Sequence, residues 1–165
     1  MRSVALRTKS GYVHQYTFPS NGTLTYDPGW LYWDSCVKKT VAYCNKIGWQ
    51  VDFGNYLDEC EIESPRLIKI CSRRKRENQL YYLLHELGHA LFYLNSDNYE
   101  VITFGVAKPA YSNSNKVATV LEEMTAWHMG LGMVPALDFV INRENFDKVM
   151  VLCVRQYFEW ATRKR

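Results

Sequence analysis

Residues 85–89 read His-Glu-Leu-Gly-His, set inside the apolar run LLHELGHAL of residues 83–91. At about 100° per residue, Leu80, Leu83, Leu84, Leu87, Leu91 and Leu94 form one stripe of a helix, while His85 and His89 fall on the opposite side. The histidines lie one above the other at i and i+4, the spacing that lets two imidazoles converge on one ion from a single helix. Glu86 is turned about 100° from His85, beside that ion, where a general base stands. Gly88 keeps the helix surface low where another element must come close. Tyr81, Tyr82, Phe92 and Tyr93 flank the histidine side, so the helix is expected to be covered on most of its circumference and to run through the middle of the domain.

His85-Glu86-Leu87-Gly88-His89 is the HExxH pattern of zinc peptidases. In that chemistry a zinc ion lowers the pKa of a bound water and polarises the carbonyl under attack, and the glutamate takes the water's proton and hands it to the leaving amine. A helix whose histidines are merely satisfied by neighbours is the alternative; their position off the leucine stripe favours the metal. A catalytic zinc needs a third protein ligand. The metzincin continuation fails, since Phe92 and Asn95 stand where Gly and the third His are required. Downstream, VLEEMTAWHMG at residues 120–130 offers Glu122, Glu123 and His128. Glu122 and Glu123 are about 100° apart on a helix and cannot both point squarely at one ion. His128 shares a side with Val117, Leu121 and Met124 and reads as a core histidine; the sharper reading makes it, or Tyr111, a donor to the oxyanion formed on attack.

Glu123-Met124-Thr125-Ala126-Trp127 resembles the ExxAW segment of the gluzincin group of metallopeptidases, in which a glutamate on a later helix is the third metal ligand. The likeness extends to small ImmA/IrrE-like peptidases and short phage-encoded peptidases, and covers the RLIKIC segment of residues 66–71, the HELGH helix and the ExxAW helix. It implies a zincin-like fold, one Zn2+ held by His85, His89 and Glu123, and Glu86 as catalytic base of a peptide-hydrolysing enzyme. It also implies that an edge strand lines the cleft, a part RLIKIC fits if it is the exposed edge of the sheet, taking an extended protein or peptide segment as an added strand. Arg66 and Lys69 would equally serve to blunt such an edge.

The 165 residues suit a single domain spanning 1–165, with 47% apolar and 22% charged residues. No apolar run approaches the roughly 20 residues of a membrane span and the N-terminus lacks a signal-peptide core, so a soluble, cytoplasmic protein without membrane contact is expected. Five cysteines, none in a CxxC pair, fit a reducing compartment. A net charge of +3 names no partner. Ser72-Arg73-Arg74-Lys75-Arg76 and Arg163-Lys164-Arg165 read as solvated basic runs; contact with nucleic acid or an acidic protein is the functional alternative, and would suit a catalytically silent regulator of the same fold. Nothing in the residues fixes an oligomeric state.

Turn residues among Thr, Tyr and Val over the first 29 residues predict short strands. Helices are expected over Trp30–Ile47, ended by Gly48, and over Gln79–Leu94, Lys116–Leu131 and Asn142–Thr162. WQVDF and RLIKIC read as strands, and VITFGVA at residues 101–107 as a short one. Trp30, Trp33 and Trp49, with Tyr32, Tyr43 and Tyr56, read as an aromatic core near the first helix. The order, mostly strands with one helix and then helices, is an α+β pattern: a small mixed sheet packed against the HExxH helix and further helices.

Overall fold

The computed structural model describes residues 2–7 and 13–18 as backbone, and residues 29–62, 65–95 and 112–163 with their side chains. Strands β1 (Arg2–Arg7) and β2 (Val13–Phe18) pair antiparallel. They are followed by α1 (Gly29–Lys46), β3 (Gln50–Gly54), β4 (Glu59–Glu61), β5 (Leu67–Cys71), α2 (Arg76–Asn95), α3 (Asn113–Gly132) and α4 (Arg143–Thr162). The architecture is mixed α+β, as the residue pattern predicts. VITFGVA, Tyr111 and the turn residues 19–28 lie outside the described residues.

Local chemistry sets the helix ends. Gly48 takes φ +86°, its N–H bonds to the Asn45 carbonyl, and the Trp49 N–H bonds to the Cys44 carbonyl, which closes α1 in the expected glycine cap. Ser112 and Asn142 accept from the N–H groups of Asn115 and Asn145 and so cap α3 and α4. Before α2, the Gln79 amide donates to the carbonyls of Ser72 and Arg74, and Arg76 reaches across to Asp34 on α1 at 2.7 Å.

The three-stranded sheet has the order β3-β5-β4, with β3 parallel and β4 antiparallel to β5. RLIKIC is therefore the central strand, not the exposed edge. The two edges are β3 and β4, and the Glu-Cys-Glu sequence of β4 carries no strong strand signal of its own. Lys69 does not blunt a free edge; it pairs with Glu59 and Glu61 on β4. Arg66 lies over the rings of Trp49 and Tyr93.

α2 crosses the centre of the molecule. From Gln79 to Ala90 every residue is buried except Tyr82 and His89, which are half-buried. Ile68 and Ile70 of β5, Trp33 and Val37 of α1, Trp127 of α3 and Phe146 of α4 complete the core around it. Trp33 and Trp49 belong to this core, but Trp30, at 64% exposure, does not: it sits in the first turn of α1, ahead of the buried face that begins at Trp33. Among the described residues no helix is long and apolar enough to cross a membrane.

Two glycines fix the contact between α2 and α3. A Cβ on Gly88 would lie 1.9 Å from the Ala126 carbonyl oxygen, and one on Gly130 would lie 1.9 Å from that of Leu84. Backbone meets backbone at both points, so no rotamer change relieves the clash. Gly88→Ala or Gly130→Ala should each destabilise the protein by about 3 kcal/mol or more. Gly132→Ala, with nothing within 4 Å of its added Cβ, should be neutral or slightly stabilising. Urea midpoints of the three variants test this; equal midpoints would mean that the crossing is looser than described.

Candidate metal centre

The close crossing brings α3 against the histidine face of α2. His85 and His89 meet through their Nε2 atoms, 3.3 Å apart. Glu123 enters from α3 with Oε2 3.2 Å from His85 Nε2 and Oε1 3.7 Å from His89 Nε2. Glu86 Oε1 stands 4.0 Å from His85 Nε2. His85, Glu86 and His89 bring ligand atoms within 4.8 Å of one another, close enough that the three could hold a metal ion.

Donor spacing gives a direct test of fit. Ligands at about 2.0–2.1 Å from a tetrahedral ion are separated by about 3.3–3.4 Å. The His85–His89 separation and both Glu123 separations lie close to that edge. Glu123 Oε2 is buried without a well-formed hydrogen bond, beside His85 Nε2 at 3.2 Å, a position that a cation would stabilise. The residues present therefore suit a divalent ion with one carboxylate and two imidazole ligands.

Glu122 takes a different position. Its Oε1 lies 3.6 Å from His89 Nδ1, the ring nitrogen turned away from Glu123. A carboxylate there orients an imidazole and increases its basicity without binding the ion. Helix geometry thus separates the two neighbouring glutamates, one on each side of the His89 ring. His85 is held differently, stacked on the Trp127 indole with centroids 4.3 Å apart and planes 19° apart. Trp127 is fully buried, edge-on to Tyr82 and Phe146.

Burial and charge set the protonation of the centre. Burial pushes Glu86 up to about 8, against the pull of His89. Burial would depress His89, but the carboxylates of Glu122 and Glu123 outweigh it and hold this imidazole up at about 10. His85 goes the other way: burial lowers it more than Glu123 raises it. Glu123 falls to about 2, because the two imidazoles overcome its own burial.

His128 is not a core histidine. It is exposed, on the rim of a recess between α3 and α4, because the face of α3 it shares with Val117 and Leu121 looks outward. Another residue, Tyr157 of α4, comes to the centre instead; its hydroxyl interacts with Glu123, and burial first, then that negative charge, raises its pKa. No motif marks Tyr157, and the contact depends on α4 folding back over α3. It also lines a cavity of about 300 Å³ with Thr119, Gln156 and Trp160. On the other flank, the Cys60 thiol of β4 lies in the field of Glu86 and Glu122. The basic stretch 72–76 is partly internal: Arg74 pairs with Asp58 and Arg76 with Asp34, leaving Arg73 and Lys75 exposed.

Compared with known proteins, the chain matches no family model, no curated protein and no solved structure.

In the metal-free protein His89 carries a proton up to about pH 10, so an incoming ion has to displace it. Calorimetric zinc titrations near neutral pH, in buffers of different ionisation heat, should count at least about one proton released per ion, with affinity rising as pH rises. A count of zero would show that the imidazole is already neutral.

Proposed function

We propose that this chain is a zinc-dependent metallopeptidase of the gluzincin type, with a zincin-like fold, in which His85, His89 and Glu123 hold one zinc ion and Glu86 is the general base. The observation that carries the reading is the triangle of His85 Nε2, His89 Nε2 and the Glu123 carboxylate, with edges of 3.2 to 3.7 Å, and Glu86 buried beside it. A zinc ion held there supplies a Lewis acid and brings the pKa of a bound water towards neutrality.

The rest is work for side chains. Glu86, held as a carboxylate beside the cation, accepts a proton from the attacking water on a carboxylate oxygen and returns it to the leaving amine. A purely structural metal site has no use for a carboxylate at that position. Glu122 keeps the His89 ring aligned from its Nδ1 side. The oxyanion donor is Tyr157, whose hydroxyl is at the centre, in place of the exposed His128. The substrate is an extended protein or peptide segment, and of the two edge strands the one it joins is β4, whose Cys60 lies in the field of Glu86.

The test is metal content followed by peptide cleavage. His85→Ala and Glu123→Ala should lose zinc, whereas Glu122→Ala should keep it with affinity reduced by about tenfold to a hundredfold. Glu86→Gln should keep about one equivalent of zinc and lose about 10²-fold or more of the cleavage rate on a mixture of unstructured peptides, read by mass spectrometry. Tyr157→Phe should keep zinc and lower kcat with little change in KM. Zinc binding without cleavage of any peptide would leave a metal-binding protein and overturn the enzymatic reading.

A further inference from the structure

α4 is twenty residues long, yet Phe146 is the only one of them that is fully buried. Val151, Leu152 and Phe158 are 57%, 61% and 48% exposed, a large apolar area for the outer face of a helix. Val151 stands between two recesses. One, of about 380 Å³, is bounded by Met124, Met150, Val154 and Phe158; the other, of about 520 Å³, by Glu144, Lys148 and Leu152. A ridge with a groove on either side is the shape that helix-on-helix packing uses.

The charges along that ridge say what fits it. Arg143, Asp147, Val151, Arg155 and Glu159 follow one another at intervals of four, the row that interdigitates in the commonest class of helix packing. In order the row reads positive, negative, apolar, positive, negative. Read backwards it is the complement of itself at every charged place. When the ridge lies beside a copy running in the opposite sense, Asp147 meets Arg155 of the copy, Arg143 meets its Glu159, and Val151 meets Val151 on the two-fold axis. Within one helix, Arg143 already bonds Asp147 at 2.7 Å and Arg155 bonds Glu159 at 2.7 Å, so each carboxylate would gain a second guanidinium.

We propose that the α4 ridge centred on Val151 is the interface of a symmetric antiparallel homodimer of this chain. An isologous contact of this kind is self-complementary and closed.

Sedimentation of the full chain between about 5 and about 200 µM is the test, with four variants beside it. The natural chain should show a concentration-dependent dimer. Val151→Glu should abolish it. Asp147→Arg and Arg155→Asp, each of which sets like charges opposite one another, should each weaken dimerisation by about tenfold or more. The double variant Asp147→Arg/Arg155→Asp should restore it, because both members of each facing pair then change sign together and opposite charges meet again across the axis. That double variant also loses both in-helix ion pairs, so an effect on helix stability alone predicts the opposite order, the double variant being worse than either single one. A monomer throughout the range, or a dimer indifferent to Val151→Glu and to both charge reversals, overturns the proposal.

Discussion

Everything at the centre of this molecule depends on how close α3 comes to α2. Helices carrying ordinary side chains pack about 8–10 Å apart, and here the contact is tighter, with backbone set against backbone. Gly88 and Gly130 do the narrowing, each receiving a carbonyl of the opposite helix. Gly88 separates the two histidine turns, and Ala126 lies one turn beyond Glu123, so the residues that hold the helices together alternate with the ionisable residues of the centre. Structural and chemical residues are interleaved on the same two faces, and neither set can shift without the other.

The concentration of ionisable groups has a thermodynamic consequence. His85, Glu86 and Glu123 are each less than 10% exposed and are packed around indole and leucine side chains. Removing such charges from water opposes folding, and mutual pairing offsets that only in part. The chain can tolerate the centre because most of α2 is apolar contact, with Leu80, Leu83, Leu84 and Leu87 fully buried on the far side. A cation among these donors would favour the folded state by mass action, which links metal supply to the amount of folded protein.

Much of this was legible in the residues. The helix periods, the glycine cap at Gly48 and the outward turn of His85 and His89 from the leucine stripe are local properties, and the structure has them where the pattern predicts. The nearness of Glu123 to both imidazoles follows the ExxAW likeness; no local rule separates it from Glu122, since only the crossing decides which carboxylate faces Nε2. β4 was not legible, because three residues with two glutamates become a strand only through pairing with β5 and Lys69. His128 shows the limit of periodicity: the face it shares with Val117 and Leu121 looks apolar on paper, yet the core lies on the other side of α3. Tyr157 had no signal at all, being brought to Glu123 by the packing of two helices.

The sheet order carries a consequence for how the chain assembles as it is made. β3 and β4 precede β5 in the chain, yet β5 lies between them and they do not pair with each other. Until residue 71 is available, the two outer strands have nothing to bind; once it is, a single insertion joins both. The HELGH helix follows directly, so α2 has a complete sheet to dock on, and Glu123 reaches His85 and His89 only once α3 has been made. A chain that ended before residue 123 would hold the two histidines without the carboxylate that faces them.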